Sequence, residues 1–309
     1  MKIGFIEPGV HICGGIRRIL EVSNYLVDFG HDVFLFTPTG KPSGWIKNKA
    51  KIQKLSKLEN HRFDVVIFNL ANQYKAALAA KAKTKVFWVL APEAMYKHPA
   101  VPIYALNQPF FLVTNSSFTR GYILDNLQRK INYSIPIIPG GINPNHFKYD
   151  PLIKKYYHVL YYGSARPWKG SDLIRHAVSG LGIKGLSMEG TNTSQHEMYK
   201  LYNKSTIFVS ACLREGFNMP ILEAFACGCP VICTDDGGNR DFVRDRYNAL
   251  VVKRDIASIK RGISTLLSNK NLRKHLRKNG LKEASKDKYE WGNIARQFEN
   301  VIIEFSKKV

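Results

Sequence analysis

Two glutamates eight positions apart, Glu215 and Glu223, stand in REGFNMPILEAFACGCPV (residues 214–231), around an apolar turn that contains a proline. Pro220 suits the first turn of a helix, where a missing N–H costs nothing, so Glu215 falls in the loop and Glu223 one turn inside. The free backbone donors and partial positive charge of such a terminus attract phosphate, and two carboxylates beside it can accept hydroxyl protons from a sugar or ribose. Glu223 is surrounded by Ile221, Leu222, Ala224, Phe225 and Ala226. A helix apolar on nearly every side is buried, and a buried carboxylate needs a partner. These neighbours offer none, which points to a ligand. The plainer alternative is an acid near a helix start, stabilised by roughly 0.3–1 kcal/mol, with a solvated glutamate in the loop before it.

Further groups of suitable chemistry lie elsewhere. The turn GSARPWKG (163–170) carries Ser164, Arg166 and Lys169, and the first strand is followed by Gly14-Gly15 and then Arg17 and Arg18. Glycines there permit close backbone approach to a ligand, although the spacing is not the G-x-G-x-x-G of a dinucleotide fingerprint. Glu93, after Pro92, and Asn115-Ser116, at the end of FFLVTN, stand at strand ends. Asp235-Asp236 directly precedes Gly237-Gly238 and reads as turn and capping chemistry rather than a metal site. Of five cysteines, four crowd between residues 212 and 233 with no histidine at ligand spacing, which favours reduced thiols over a disulfide framework or a metal centre.

These segments, in their order, resemble the family 4 retaining glycosyltransferases, whose fold is GT-B. The glycine pair, GINPNHF (141–147), GSARPWKG, the REGF segment and GGNRD (237–241) correspond to five motifs of that family and span most of the chain. The resemblance implies an α/β GT-B architecture, two facing Rossmann-like domains with a cleft between them, acting on a nucleotide-diphosphate sugar. It gives donor binding to Gly14, Gly15, Ser164, Lys169, Gly190, Gly216, Phe217, Asn218, Met219, Pro220 and Glu223. Glu215 goes to the donor sugar, Glu223 to the ribose, and Lys169 to the leaving diphosphate. Ser164 occupies the family's arginine position, and Arg166, two residues on, is the candidate replacement. Arg17, Glu93, Asn115 and Ser116 are acceptor-side candidates. The leaving phosphate oxygen would take the acceptor's proton on the same face, so neither a covalent intermediate, a cofactor nor a metal is expected. A sugar-nucleotide epimerase of the same fold and a catalytically silent sugar-nucleotide-binding protein are the competing readings.

The elements needed to position these groups are legible. KIGFI, DVFLFT, DVVIFN, KVFWVL and FFLVTN are short apolar runs separated by helical patterns. The alternation restarts near residue 158 with HVLYYG, GIKGLSM, TIFVS, PVICT and NALVV. Such runs form parallel sheets covered on both faces. Domains are expected at 1–145, binding the acceptor, and 146–288, binding the nucleotide sugar. A helix over 289–309, with apolar residues at Trp291, Ile294, Phe298, Ile302 and Phe305, is expected to cross back to the first domain.

The 309 residues carry a formal net charge of +22. Lys41, Lys47, Lys49, Lys51, Lys54 and Lys57 occur with no acid between them, and NLRKHLRKNGLKEA reads as a helix with a cationic face. Such faces favour an anionic membrane surface or an anionic, lipid-linked or glycan acceptor; no nucleic-acid motif accompanies them. No apolar run is long enough to span a bilayer, and MKIGFIEP reads as a strand rather than a signal peptide. A cytoplasmic protein, peripheral on the membrane at most, is expected.

Overall fold

The computed structural model describes residues 1–7, 9, 13–91, 100–188 and 195–309. The chain divides into two compact units, one of Met1–Gly141 with Trp291–Val309, the other of Ile142–Glu290. The first contains β1 (Lys2–Ile6), α1 (Gly14–Asp28), β2 (Asp32–Thr37), β3 (Lys51–Lys54), β4 (Arg62–Phe68), α2 (Tyr74–Ala79), β5 (Lys81–Val89), α3 (Ala100–Leu106), β6 (Phe111–Thr114) and α4 (Ser117–Asn126). The second contains β7 (Tyr157–Tyr161), α5 (Ser171–Ser179), β8 (Gly185–Ser187), α6 (Gln195–Lys204), β9 (Ser205–Ser210), α7 (Met219–Ala226), β10 (Val231–Cys233), β11 (Ala249–Val251), α8 (Ile256–Ser268) and α9 (Lys270–Ala284). The last helix, α10 (Trp291–Ser306), returns to the first unit.

The sheet of the first unit has the order β3-β2-β1-β4-β5-β6, and every pairing is parallel. β1 is central, with Phe5 opposite Leu35 on one side and Ile67 on the other. Chain order reverses between β1 and β4, the position at which doubly wound sheets bind ligands beyond the strands' carboxyl ends. One face is filled by aromatic packing that includes Phe36, Phe68, Phe87 and Phe110, with Phe68 and Phe87 stacked 4.5 Å apart. The other face is covered by α1 and α10, which pack on each other. Phe298 stacks on Trp88 at 4.3 Å and lies 6.5 Å from Phe5, and Phe305 stacks on Phe111 at 4.4 Å. Polar contacts fix the register of α10: Glu299 lies 2.6 Å from His31 Nε2 and 2.5 Å from Arg296.

One strand falls where the sequence shows only charge. β3 lies inside the lysine block, at the sheet edge, where lysines discourage pairing with another chain. The acids missing from that block in sequence arrive from α1 and β2: Lys49 pairs with Asp28 and Lys51 with Asp32, each at 2.6 Å. Ile46 is buried. The block is thus partly neutralised and partly structural.

The sheet of the second unit runs β11-β10-β9-β7-β8, again wholly parallel. α5 packs with α8 and α7 with α9. Gly280 lets α9 approach α7, since a Cβ there would stand 2.8 Å from the Phe225 ring. None of the five cysteines is in a disulfide. Burial pushes Cys212 up to about 12 and Cys229 up to about 11, so both are protonated at neutral pH. No described helix is long and apolar enough to cross a membrane.

Because α10 completes the core of the first unit, Phe298→Ala is expected to destabilise that unit by about 3–5 kcal/mol. Equilibrium denaturation followed by tryptophan fluorescence measures it, the reporter being Trp88 against the Phe298 ring.

Candidate functional site

The site of the second unit lies where three strand-to-helix connections meet. After β9 the chain passes through Leu213, Arg214 and Glu215 to Asn218, which has φ 63° and ψ 60° and immediately precedes α7. This left-handed conformation favours glycine, and asparagine is among the few other residues that adopt it readily. Asn218 is held there by its side chain, whose Nδ2 donates to Ser210 Oγ at 3.1 Å and to Asp236 Oδ2 at 2.5 Å. Pro220 is the second residue of α7, within its first turn.

Asp236 ties this loop to the next connection. Its Oδ1 accepts from the Asn239 amide at 2.9 Å and its carbonyl accepts from the Glu215 amide at 2.9 Å. Burial is the main cause raising its carboxyl to about 7, with hydrogen bonds from Asn218 and Asn239 opposing the rise. Gly237-Gly238 then runs directly against the loop. A Cβ on Gly238 would lie 2.4 Å from the Glu215 carbonyl oxygen and 2.6 Å from the Phe217 nitrogen. Only glycine fits that approach. The carboxylate next door serves the surface: Asp235 takes a bidentate contact from Arg240 at 2.8 and 2.9 Å.

The third connection follows β7. Ser164 Oγ accepts from the Arg166 amide at 3.2 Å, and Pro167–Lys169 makes one tight helical turn. The turn ends on Gly170, at φ 69°, where a Cβ would lie 2.3 Å from the Ala211 carbonyl oxygen. Arg254 clamps the same place, donating from Nε to Ala211 O and from Nη2 to Pro167 O, both at 2.9 Å. This geometry brings Lys169 Nζ onto Glu215 Oε1 as a hydrogen-bonded ion pair, with both side chains mostly covered. The ammonium also lies 5.8 Å from the Tyr162 ring centroid. A cation and a hydroxyl-accepting carboxylate are therefore held together beside the start of a buried helix.

Several assignments are modified. The expectation that Glu223 finds no side-chain partner is corrected: Tyr202, fully buried on α6, donates its hydroxyl to Glu223 Oε2 at 3.1 Å. The Phe217 ring belongs to the core, stacked on Phe242 at 4.9 Å, so only its backbone is available to a ligand. Gly216 and Met219 are buried beside it. Arg166 is exposed, with its guanidinium 5.7 Å from the Trp168 ring rather than turned toward Lys169's partner. Gly190 lies outside the described residues.

In the first unit, Gly14 and Gly15 open α1, capped by the Cys13 sulfur at 3.5 Å from the Ile16 amide. A Cβ on Gly15 would make only an ordinary 3.6 Å contact with Leu90, so Gly15 is not imposed by sterics among the described residues. Arg17 is buried, 3.9 Å from Glu21 and 6.0 Å from the Trp291 ring, and is thus engaged within its own unit. Ser116 is the cap of α4: its hydroxyl accepts from the Thr119 amide and donates to Thr119 Oγ1, both at 3.1 Å. Its assignment to an acceptor is corrected to capping. Asn115 Nδ2 donates to Leu90 O at 2.5 Å. Glu93 lies outside the described residues.

Residues 186–283 match the family model described as glycosyl transferases group 1. An uncharacterized glycosyltransferase of Methanocaldococcus jannaschii is 28% identical over 208 residues, covering 60% of this chain and 58% of that protein. The chain thus spans less than two thirds of that relative's length. Among solved structures, sucrose-phosphate synthase from Thermosynechococcus elongatus aligns over 100% of both chains with a TM-score of 0.78 at 15% identity. Anabaena HepE, solved with UDP and glucose, aligns over 98% of this chain and 100% of its own with a TM-score of 0.80 at 14% identity. The fold is that of the GT-B glycosyltransferases, each unit an α/β Rossmann-like body. The family match lies within the second unit, and the likeness to the solved structures, at 15% and 14% identity, is one of fold.

The buried Asp236 gives a pH test. Its folded value of about 7 lies above the ordinary 3.8, so its contribution to stability is complete below about 3.8 and is lost as pH rises through about 7. Asp236→Asn is expected to shrink the fall in Tm between pH 5 and pH 8. An unchanged pH difference in thermal melts would contradict the assignment.

Proposed function

We propose that the protein is a family 4 retaining glycosyltransferase that moves a hexose from a nucleotide-diphosphate sugar to a glycan or lipid-linked acceptor. The observation that carries this reading is the Lys169–Glu215 pair beside the first turn of α7. Donor binding would replace that pair by two separate contacts: Lys169 on the diphosphate, whose charge rises as the glycosidic bond breaks, and Glu215 on the sugar hydroxyls. Glu223, held by Tyr202, would take the ribose. The start of α7 adds backbone donors for phosphate.

With the acceptor oxygen and the leaving phosphate on one face, the phosphate oxygen takes the proton and the protein supplies position and charge. Lys169 provides that charge without a metal. Arg166 is the secondary cation, able to leave Trp168 for the diphosphate. Because HepE was solved with UDP and glucose, a uridine donor is the first to test. Release of nucleoside diphosphate from a panel of UDP- and GDP-sugars, in EDTA, with and without lipid extract, is the assay. Lys169→Ala is expected to lower kcat by about 10²–10³, and Arg166→Ala by less. NMR of the product is expected to show the donor's anomeric configuration; an inverted product would contradict retention.

A membrane-facing surface follows from α9. Its arginines turn to carbonyls, Arg273 to Leu266 and Leu267, Arg277 to Gly228. Lys270, Lys274, Lys278 and Lys282 form an exposed stripe at four-residue spacing. That stripe fits an anionic bilayer, at about 1 kcal/mol per lysine near the surface. Sedimentation with phosphatidylserine vesicles, but not with phosphatidylcholine vesicles, is expected at low salt, and replacement of the four lysines by glutamine is expected to abolish it.

A further inference from the structure

The amino edge of the second sheet, opposite the strand ends that lead to Lys169 and Glu215, exposes an apolar point among cations. Leu152 is 89% exposed and Tyr156 61%. A single exposed leucine is ordinary, but the turn that presents this one is held from several sides. Asp150 Oδ1 accepts from the Leu152 amide, its Oδ2 accepts from the Tyr199 hydroxyl, and its own amide donates to Asn203 Oδ1, each at 2.9 Å. Asp150 is the one acid between residues 148 and 158, and its carboxylate is engaged in shaping the turn.

Lysines stand around this point on three neighbouring strands. Tyr156 directly precedes β7, Lys184 precedes β8 and Lys204 precedes β9. The Tyr156 amide donates to Lys204 O at 2.7 Å and the His158 amide to Lys184 O at 2.9 Å, which draws the three chain segments together. The Lys184 ammonium lies over the Tyr156 ring, 3.1 Å from its centroid. Lys154, Lys184 and Lys204 are all exposed. Unlike Lys49 and Lys51, none of the three is in an ion pair among the described residues. The lysine-bearing helix α9 reaches the same edge: Arg277 donates from Nε to Gly228 O at 3.0 Å and from Nη1 to the Tyr149 hydroxyl at 3.3 Å. The stripe on α9 and the 150–156 turn therefore adjoin through Tyr149.

A partner for this surface must receive an apolar side chain, an aromatic ring with a polar tip and several ammonium groups at once. A nucleic acid offers phosphates to the lysines and no apolar layer beneath them. An anionic bilayer offers both, with charge at the headgroups and acyl chains below. Tyrosine favours the boundary between those layers, and lysines keep their ammonium groups in the headgroup region while their stems lie along apolar surface. We infer that the 150–156 turn is a membrane-insertion point of the second unit. Leu152 enters the acyl boundary, Tyr156 lies at headgroup level, and Lys154, Lys184 and Lys204 meet anionic headgroups. The site deepens the membrane reading of α9, on which it builds, by adding to a salt-screened attraction an apolar contact that salt does not screen.

The test mixes the full chain with vesicles of phosphatidylserine and phosphatidylcholine in equal parts, at low and at high salt. Leu152→Ser is expected to bind about tenfold more weakly and, unlike the natural chain, to detach fully at high salt. Leu152→Trp gives the direct readout. With lipids brominated along their acyl chains, its fluorescence is expected to be quenched beyond that of the natural chain, whose four tryptophans set the background. Quenching no greater than that background overturns the inference. So does a folded Leu152→Ser protein that binds as tightly as the natural chain, or one that shares with the natural chain the same affinity for a DNA duplex and for the vesicles; if that variant does not fold, the quenching decides alone. The α9 stripe is judged separately. Quenching in Leu152→Trp that survives replacement of the four α9 lysines by glutamine would keep the insertion point and remove the α9 reading, and sedimentation lost on those replacements without any quenching at position 152 would do the reverse.

Discussion

The second unit depends on one buried contact, the hydrogen bond from Asn218 to Asp236. Without it the chain after β9 has no reason to hold a non-glycine residue at positive φ, and α7 has no fixed starting point. With it, the same aspartate anchors the Glu215 amide through its carbonyl and the Asn239 amide through its carboxyl. The glycine at 238 completes the arrangement by letting two loops touch through their backbones. The result is a loop that projects one carboxylate, Glu215, toward one ammonium, Lys169. The placement of the charged pair is therefore set by Asn218, Asp236 and Gly238 as much as by the pair itself.

The first unit solves a different problem. A parallel sheet must be covered on both faces, and α10, from the far end of the chain, covers one of them together with α1. Aromatic stacking of Phe298 and Phe305 on Trp88 and Phe111 provides that cover. His31 and Glu299 then fix the helix laterally. Packing this complete does not pair every polar atom. Buried side-chain atoms with no partner among the described residues lie both at the strands' carboxyl edge, as Glu7 Oε1 and Asn69 Oδ1, and within the packed layers, as the Trp88 and Trp291 indole nitrogens.

Much of this was legible in the sequence. The strands that are apolar throughout could be read because burial on both faces leaves a continuous hydrophobic run. β3 could not, because an edge strand that keeps its lysines in water has no such run. Pro220 marked the helix start and Gly237-Gly238 a turn, since each residue type answers a local backbone demand; the close approach at Gly238 involves a loop more than twenty residues earlier and left no local sign. The partner of Glu223 was missed because Tyr202 lies on another helix, and nothing in local sequence links positions 202 and 223. Arg254 was missed for the same reason: it clamps a turn 87 residues earlier in the chain. Ser116 shows the converse error. A serine at a strand end reads equally as ligand contact or helix cap, and Thr119 three residues on was the available sign of the cap.

Backbone contact across Gly238 and the Asp236 anchor hold the loop that carries Glu215. The affinity of Gly238→Ala for UDP, measured by calorimetry beside the natural chain with folding checked by thermal melting, tests this directly. A folded variant that has lost most of its UDP affinity is the predicted result, because the methyl group must push the Glu215–Phe217 backbone aside. A folded variant that binds UDP as tightly as the natural chain would contradict the account.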